Sequence, residues 1–288
     1  MEVNNIIIGT AQFGSHYGIS NIKGQTKLSE IQKILDYAIN KEIFYLDSSL
    51  SYFKNNFNFL QFDLKNFNVI DKISPNINLI DTKMLYLKNT ILNSLKFYNK
   101  SELYGVLIHN YNKDYNITLK QLNKLKQEGL ISKIGISLYN ISDIYHILND
   151  DINIDIVQCP FNVFDRRINN NKILTDLKSK NIEIHIRSIF LQGLLLMNSN
   201  IREDKLKMKF KNIFLWDNFL KNNNIDSFFG CMSFIKSYNF YDKIILGIEN
   251  YTQLLQIIDN LESKNEKKFN FDILTSDDAE LINPSLWK

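Results

Sequence analysis

The chain has 288 residues, 44% hydrophobic and 23% charged, which is ordinary for a globular protein with one large core. A net charge of +3 is too small to point to nucleic acid, and the longest nearly apolar stretch, Ile189 to Met197, is interrupted by Gln192 and Gly193 and is too short to cross a bilayer, so neither nucleic acid nor membrane is expected as a partner. The opening MEVNNIIIGT lacks the charged region and cleavage site of a signal peptide, and Cys159 and Cys231 belong to no CxxC or Cys/His cluster, so the expectation is a cytoplasmic protein without a disulfide framework or a metal site.

No Pro/Gly/Ser-rich linker divides the sequence, and one domain over residues 1–288 is expected. Eight short β-rich runs occur in order: Asn5–Gly9, Ile43–Asp47, Asn68–Lys72, Leu103–His109, Lys133–Ser137, Asp155–Gln158, Ile182–Arg187 and Lys243–Gly247. Between them lie segments with helical apolar spacing, among them Leu28-Ile31-Ile34-Leu35-Ala38, Leu87-Ile91-Leu92-Leu95, Leu119-Leu122-Leu125 and Phe228-Phe229-Met232-Ile235. The exception is Phe53 to Phe67, rich in Asn and Phe without amphipathic spacing, where a short or distorted helix is expected. Eight near-regular β/α units at this length predict an α/β fold of the (β/α)₈ TIM-barrel class; a doubly wound open sheet is the alternative.

In such a barrel, chemistry sits at the carboxyl ends of the strands. There the sequence places Gly9-Thr10, Asp47, Lys72, His109, Ser137, Gln158, Arg187-Ser188 and Gly247, with Tyr52 five residues after Asp47. The Asp, Tyr, Lys and His types form a set able to couple proton transfer to hydride transfer. An ammonium near a phenol favours the phenolate, a carboxylate keeps that ammonium charged, and a neutral imidazole can position a carbonyl oxygen. Each residue also has a plainer reading. Asp47-Ser48-Ser49 is a possible helix cap, Lys72 a solvated strand end, His109 a core histidine and Tyr52 one of fourteen tyrosines.

These residues are where the sequence resembles the aldo-keto reductase family, over nearly the whole chain. IIIGTAQFGSHYGISN resembles the family's first strand and loop, with Gly9 and Thr10 at the cofactor side, and LDSSLSY resembles its Asp-Thr-Ala-x-x-Tyr motif. By that match Asp47, Tyr52, Lys72 in VIDKIS and His109 in LIHNY are the catalytic tetrad. LKQEGLISKIGISLYN and DIVQCPFNVFDRR are similar to the segments that place Ser137 and Gln158 by the nicotinamide carboxamide. RSIFLQGLLL is similar to the seventh-strand motif along the pyrophosphate, implicating Ser188, Leu191 and Gly193, and IILGIENYTQLL resembles the last cofactor segment, beginning at Gly247. The resemblance implies reduction of an aldehyde or ketone by NADPH or NADH, with a slight lean to NADPH and with Tyr52 as general acid. The partner implied is a small-molecule carbonyl compound.

Three departures stand out. After Tyr52 the family usually continues with Gly and then Ser-Glu, whereas this chain has Phe53-Lys54-Asn55-Asn56. Arg187 occupies the position of a ring that stacks on the nicotinamide in many members. Gly247 to Gln256 contains no Lys or Arg to hold a 2′-phosphate. Shorter members resemble proteins of bacterial surface-sugar synthesis, which adds keto-sugars to the candidate substrates. The basic run Lys205 to Lys211 reads as a solvated loop or as a cover over anionic groups. Two other classes stay open: a cofactor-binding regulatory or assembly subunit, and a lyase or epimerase using Lys72 as a Schiff-base amine. Substrate choice is expected in the loops Ser15–Lys27, Tyr111–Ile117 and Asn198–Asp226.

Overall fold

The eight apolar runs pair in chain order. The computed structural model describes residues 2–53, 57–74, 83–111, 113–149, 152–206, 212–263 and 267–287. Strands β1 (Ile6–Gly9), β2 (Tyr45–Ser48), β3 (Asn68–Ile73), β4 (Leu103–His109), β5 (Ile131–Ser137), β6 (Ile156–Pro160), β7 (Glu183–Arg187) and β8 (Lys243–Gly247) are neighbours in sequence order. Every pair is parallel, and β1 pairs with β8 through Ile6↔Ile244 to Gly9↔Gly247, which closes the barrel. The chain is therefore a (β/α)₈-type barrel rather than an open sheet.

Isoleucine-rich runs suit these strands because both faces are covered. The outward residues, such as Ile6, Ile8, Val106 and Ile134, pack into the main core under the helices. The inward residues Ile7, Ile70, Leu107, Ile156 and Ile245 form a separate cluster that plugs the lumen. Side chains alternate faces with a period of two, so the next inward positions toward the carboxyl ends are Gly9, Lys72, His109, Gln158 and Gly247. One pleat step thus changes the lumen from an apolar plug to the polar residues of the site. Beneath the plug, Tyr45 and Tyr104 pack against it, and Lys133 pairs with Glu183 and donates to the Tyr104 hydroxyl at 2.7 Å.

Amphipathic helices surround the barrel. Helix Leu28–Asn40 buries Ile31, Ile34, Leu35 and Ala38, helix Asn116–Gln127 buries Leu119, Leu122 and Leu125, and helix Ser227–Lys236 buries Met232 and Ile235. Two predicted core positions instead face water. Leu28 stands in the first turn of its helix, and Leu92, beside the buried Ile91 in helix Lys83–Tyr98, has turned off the apolar stripe. Strand starts also differ from expectation: Asn5 ends a 3₁₀ turn, and Ile43 packs into the core before β2 begins at Tyr45.

The irregular second unit carries no α-helix among the described residues. It has two 3₁₀ turns, Leu50–Tyr52 and Phe59–Gln61, and an aromatic cluster in which Phe57, Phe59 and Phe62 are buried. Phe53, Phe57 and Phe59 meet one another, and Phe53 and Phe59 reach Phe97 of helix Lys83–Tyr98, at ring separations of 4.6 to 5.6 Å. Phenylalanines at 53, 57, 59, 62 and 67 fall on no single helical stripe, and ring packing takes the place of a helix. Lys54-Asn55-Asn56 lie outside the described residues, as do the side chains of the basic run Lys205 to Lys211. Among the described residues no helix is long and apolar enough to cross a membrane.

Candidate active site

A cavity of 340 Å³ opens at the carboxyl end of the barrel, and Asp47, Tyr52, Lys72 and His109 all line it. That volume lies in the range of small-molecule sites. Lys72 comes from the polar layer of β3 and forms an ion pair with Asp47 on β2; the two side chains are only 6% and 3% exposed. The second Asp47 oxygen accepts from Gln158 Nε2 at 2.7 Å, and Gln158 Oε1 accepts from Ser137 Oγ at 3.0 Å. Thr10 fixes the Asp47 backbone, giving its N–H at 2.9 Å and its hydroxyl at 3.1 Å to the Asp47 carbonyl. The carboxylate is thereby fully engaged before any ligand arrives.

Tyr52 ends the 3₁₀ turn that follows β2. Ser49 caps that turn, accepting from the Ser51 amide, and donates to the Lys72 carbonyl at 2.6 Å, which ties the turn to β3. The capping role anticipated for the Asp47-Ser48-Ser49 stretch therefore falls to Ser49, and Asp47 turns inward. Gly14 completes the seat. A Cβ built there would stand 2.3 Å from the Tyr52 carbonyl oxygen, so only glycine lets helix Ala11–Gly14 approach the turn so closely. The Lys72 ammonium sits 5.4 Å from the Tyr52 ring centroid, close enough for its charge to act on the phenol.

The electrostatics correct one expectation. Lys72 does pull the Tyr52 pKa down, but burial outweighs it and the phenol titrates above its ordinary value. Tyr52 is thus protonated at neutral pH. Burial opposes the Lys72 ammonium as well, yet the Asp47 carboxylate and the Tyr52 phenol more than offset it, and its pKa is raised. His109 is pushed down to about 4, first by burial and then by the charges of Lys72 and Arg187, so its imidazole is neutral at physiological pH.

The loop after β7 forms the opposite wall. Ser188, Leu191 and Gln192 have φ of 60°, 49° and 54°, and Gly193 follows at 89°. Left-handed backbone costs a side-chain-bearing residue roughly 1–2 kcal/mol, and such strain concentrates at functional sites. At Gly193 a Cβ would fall 1.8 Å from Ser20 Oγ, so glycine also admits the 15–27 loop, which bonds back through the Ile19 amide to the Gln192 carbonyl at 3.0 Å. Arg187 stacks on Tyr139, with its Cζ 4.3 Å from the ring centroid, and donates to the Leu138 carbonyl at 2.7 Å and to Ser188 Oγ at 3.1 Å.

Of the sites expected from sequence, Gly9, Arg187, Ser188, Gly193 and Gly247 line the same cavity as the tetrad. Thr10, Ser137, Gln158 and Leu191 are fully buried and stand behind its wall. The sequence reading missed Gln12, Tyr17, Tyr139, Glu249 and Gln253, which line it. Tyr139 carried a signal, lying one pleat step past Ser137; Tyr17, in an irregular loop, carried none.

A sequence profile described as the Aldo/keto reductase family matches residues 5–273. The chain belongs to that family. Solved structures that it resembles include aldo-keto reductase AKR11C1 from Bacillus halodurans (holo form), with 17% identity and a TM-score of 0.69 over 94% of this chain and 89% of that one. Another is a Pseudomonas aeruginosa protein assigned to the aldo-keto reductases, with 16% identity and a TM-score of 0.61 over 89% and 88% of the two chains. At these identities the likeness shows the fold. No curated protein sequence matches significantly. Family and fold support oxidoreductase chemistry on carbonyl compounds, and aldo-keto reductases generally use NAD(P)H.

Proposed function

We propose that the protein reduces an aldehyde or ketone with a nicotinamide cofactor, NADPH or NADH, and that Tyr52 is the general acid. The observation that carries this reading is the convergence of Tyr52, Lys72, Asp47 and His109 on one cavity, with a phenol that keeps its proton and an imidazole that is neutral. The residues fit a dinucleotide: the cavity also presents the strained loop at Ser188 to Gly193 and the buried Gln12 Oε1, which has no hydrogen-bond partner among the described residues. Gly9, Arg187, Ser188, Gly193 and Gly247 would hold the cofactor at the wall. Thr10, Ser137, Gln158 and Leu191 would support it from behind. When bound, the reduced cofactor supplies the hydride that the carbonyl carbon receives.

The chain's own residues handle the proton. Neutral His109 directs a hydrogen bond at the carbonyl oxygen without offering a competing acidic proton. As negative charge develops on that oxygen, the Tyr52 hydroxyl gives up its proton, and the product is the alcohol. The phenolate left on Tyr52 is stabilised by Lys72, which Asp47 holds charged and in place. The loop that walls the cavity and the apolar plug beneath it surround these groups with protein rather than water, which strengthens each of these interactions. The test is oxidation of NADH or NADPH followed by absorbance across a panel of keto-sugars and simple aldehydes. The reading predicts turnover of at least one class, and a protein that binds neither cofactor contradicts it.

A further inference from the structure

The cavity has a second end. From Gly9 and Gly247 its lining continues over the mouth of β8 to Glu249, Gln253 and Gln256. Among the described residues, the cations that line it are Lys72 and Arg187, both at the reaction end, where their charges act on Tyr52 and His109. The far end offers a carboxylate and amides.

A helix N-terminus is an alternative anion site, and helix Tyr251–Glu262 starts here. The Tyr251 and Gln253 amides of its first turn, and the Glu249 amide just before it, are already taken. The Asn250 side chain accepts from the Gln253 amide at 3.1 Å, Glu30 Oε2 accepts from the Tyr251 amide at 3.0 Å, and Gln253 Oε1 accepts from the Glu249 amide at 2.8 Å. Glu30 is itself ion-paired with Lys33 at 2.9 Å. Meanwhile Gln12 on the cavity wall is 9% exposed, and its Oε1 lacks a hydrogen-bond partner among the described residues. A buried unpaired acceptor is costly and is met by a donor from a ligand. The unpaired Gln12 acceptor asks for a hydrogen-bond donor, and among the described residues no lysine or arginine lines this end to neutralise a phosphate.

We infer that this end of the cavity receives the adenosine-side ribose of the cofactor with its hydroxyls unphosphorylated, so that the protein selects NADH over NADPH, with Glu249 as the discriminating residue. The inference rests on the oxidoreductase reading above, which supplies the dinucleotide. A ribose hydroxyl can donate to the Glu249 carboxylate in a charge-assisted bond. A 2′-phosphate would bring negative charge against the same carboxylate, and among the described residues no lysine or arginine lines this end of the cavity to offset it. The family's lean to NADPH gives way here to the local charge.

The test is direct titration of the full-length protein with NADH and with NADPH by cofactor fluorescence and calorimetry, with no substrate present. NADH should bind tighter by about tenfold or more. Glu249→Lys should weaken NADH and strengthen NADPH, shrinking that ratio about tenfold, with Glu249→Gln between the two. NADPH binding as tightly as NADH to the parent overturns the selection. A ratio unchanged in Glu249→Lys, with the circular dichroism of the parent retained, overturns the assignment to Glu249. Failure of both cofactors to bind overturns the oxidoreductase reading and this inference together, whereas equal binding of both leaves that reading standing.

Discussion

Replacing Lys72 by Met keeps an unbranched side chain of nearly the same length and removes its charge. In the folded protein Lys72 and Asp47 are 6% and 3% exposed, so the substitution leaves the Asp47 carboxylate buried with only the 2.7 Å hydrogen bond from Gln158 to replace an ion pair. Breaking a buried pair from one side costs about 3–5 kcal/mol, because the remaining charge is uncompensated. Asp47→Asn in the same chain removes that charge, and the double variant should recover most of the loss. Chemical denaturation of the parent, both single variants and the double variant measures the cycle. Activity should behave differently. Loss of the ammonium withdraws the stabilisation of the Tyr52 phenolate, and general acid catalysis is worth about 10²–10⁴ in rate, so kcat should fall by that order in the single and the double variant alike. A Lys72→Met protein within about 0.5 kcal/mol of the parent would refute the buried pair. An unchanged pH–rate profile in that variant would refute the role of the lysine on Tyr52.

Other expectations follow from the same geometry. His109, at about 4, should show no ring titration by NMR between pH 5.5 and 8; a midpoint near 6.5 would contradict its burial beside two cations. Arg187→Leu removes one of those cations and should move the His109 midpoint upward. Asp71, fully buried under Ser94 Oγ at 2.5 Å and the Tyr98 hydroxyl at 3.0 Å, is pushed up to about 6 from an ordinary 3.8, chiefly by burial. A carboxyl raised in the folded state stabilises it below pH 4 and loses that contribution as pH rises through 6. Melting temperature should therefore decline less steeply between pH 4 and 6 in Asp71→Asn, and equal slopes in variant and parent would count against the buried carboxyl. Gly14→Ala must displace the Tyr52 carbonyl, so kcat should fall more than the melting temperature does; parental kcat would show that the close approach does not seat Tyr52.

The barrel was legible because its strands are isoleucine-rich runs broken by polar residues, and each break coincides with the pleat step from the plug to the mouth. Asp47, Lys72 and His109 announced themselves as charged or titratable groups ending apolar segments. The second unit was not legible as a helix because its phenylalanines pack ring against ring across Phe97, a tertiary arrangement with no period in sequence. The direction of the Tyr52 shift depended on how deeply the phenol is buried, which sequence does not report. Gln12 and Glu249 were hidden for another reason. Each stands in an ordinary loop or helix-start segment, and its meaning comes from which groups around it are absent or already bonded.

The central claim is that Tyr52 delivers the proton, and Tyr52→Phe tests it most directly. The substitution removes one hydroxyl from a part-buried ring and leaves the cavity wall in place. Single-turnover reduction of a substrate found in the carbonyl panel, measured beside cofactor affinity, should show a rate lower by about 10²–10⁴ with the dissociation constant for the cofactor unchanged. A variant that reduces the carbonyl at the parental rate would contradict the account.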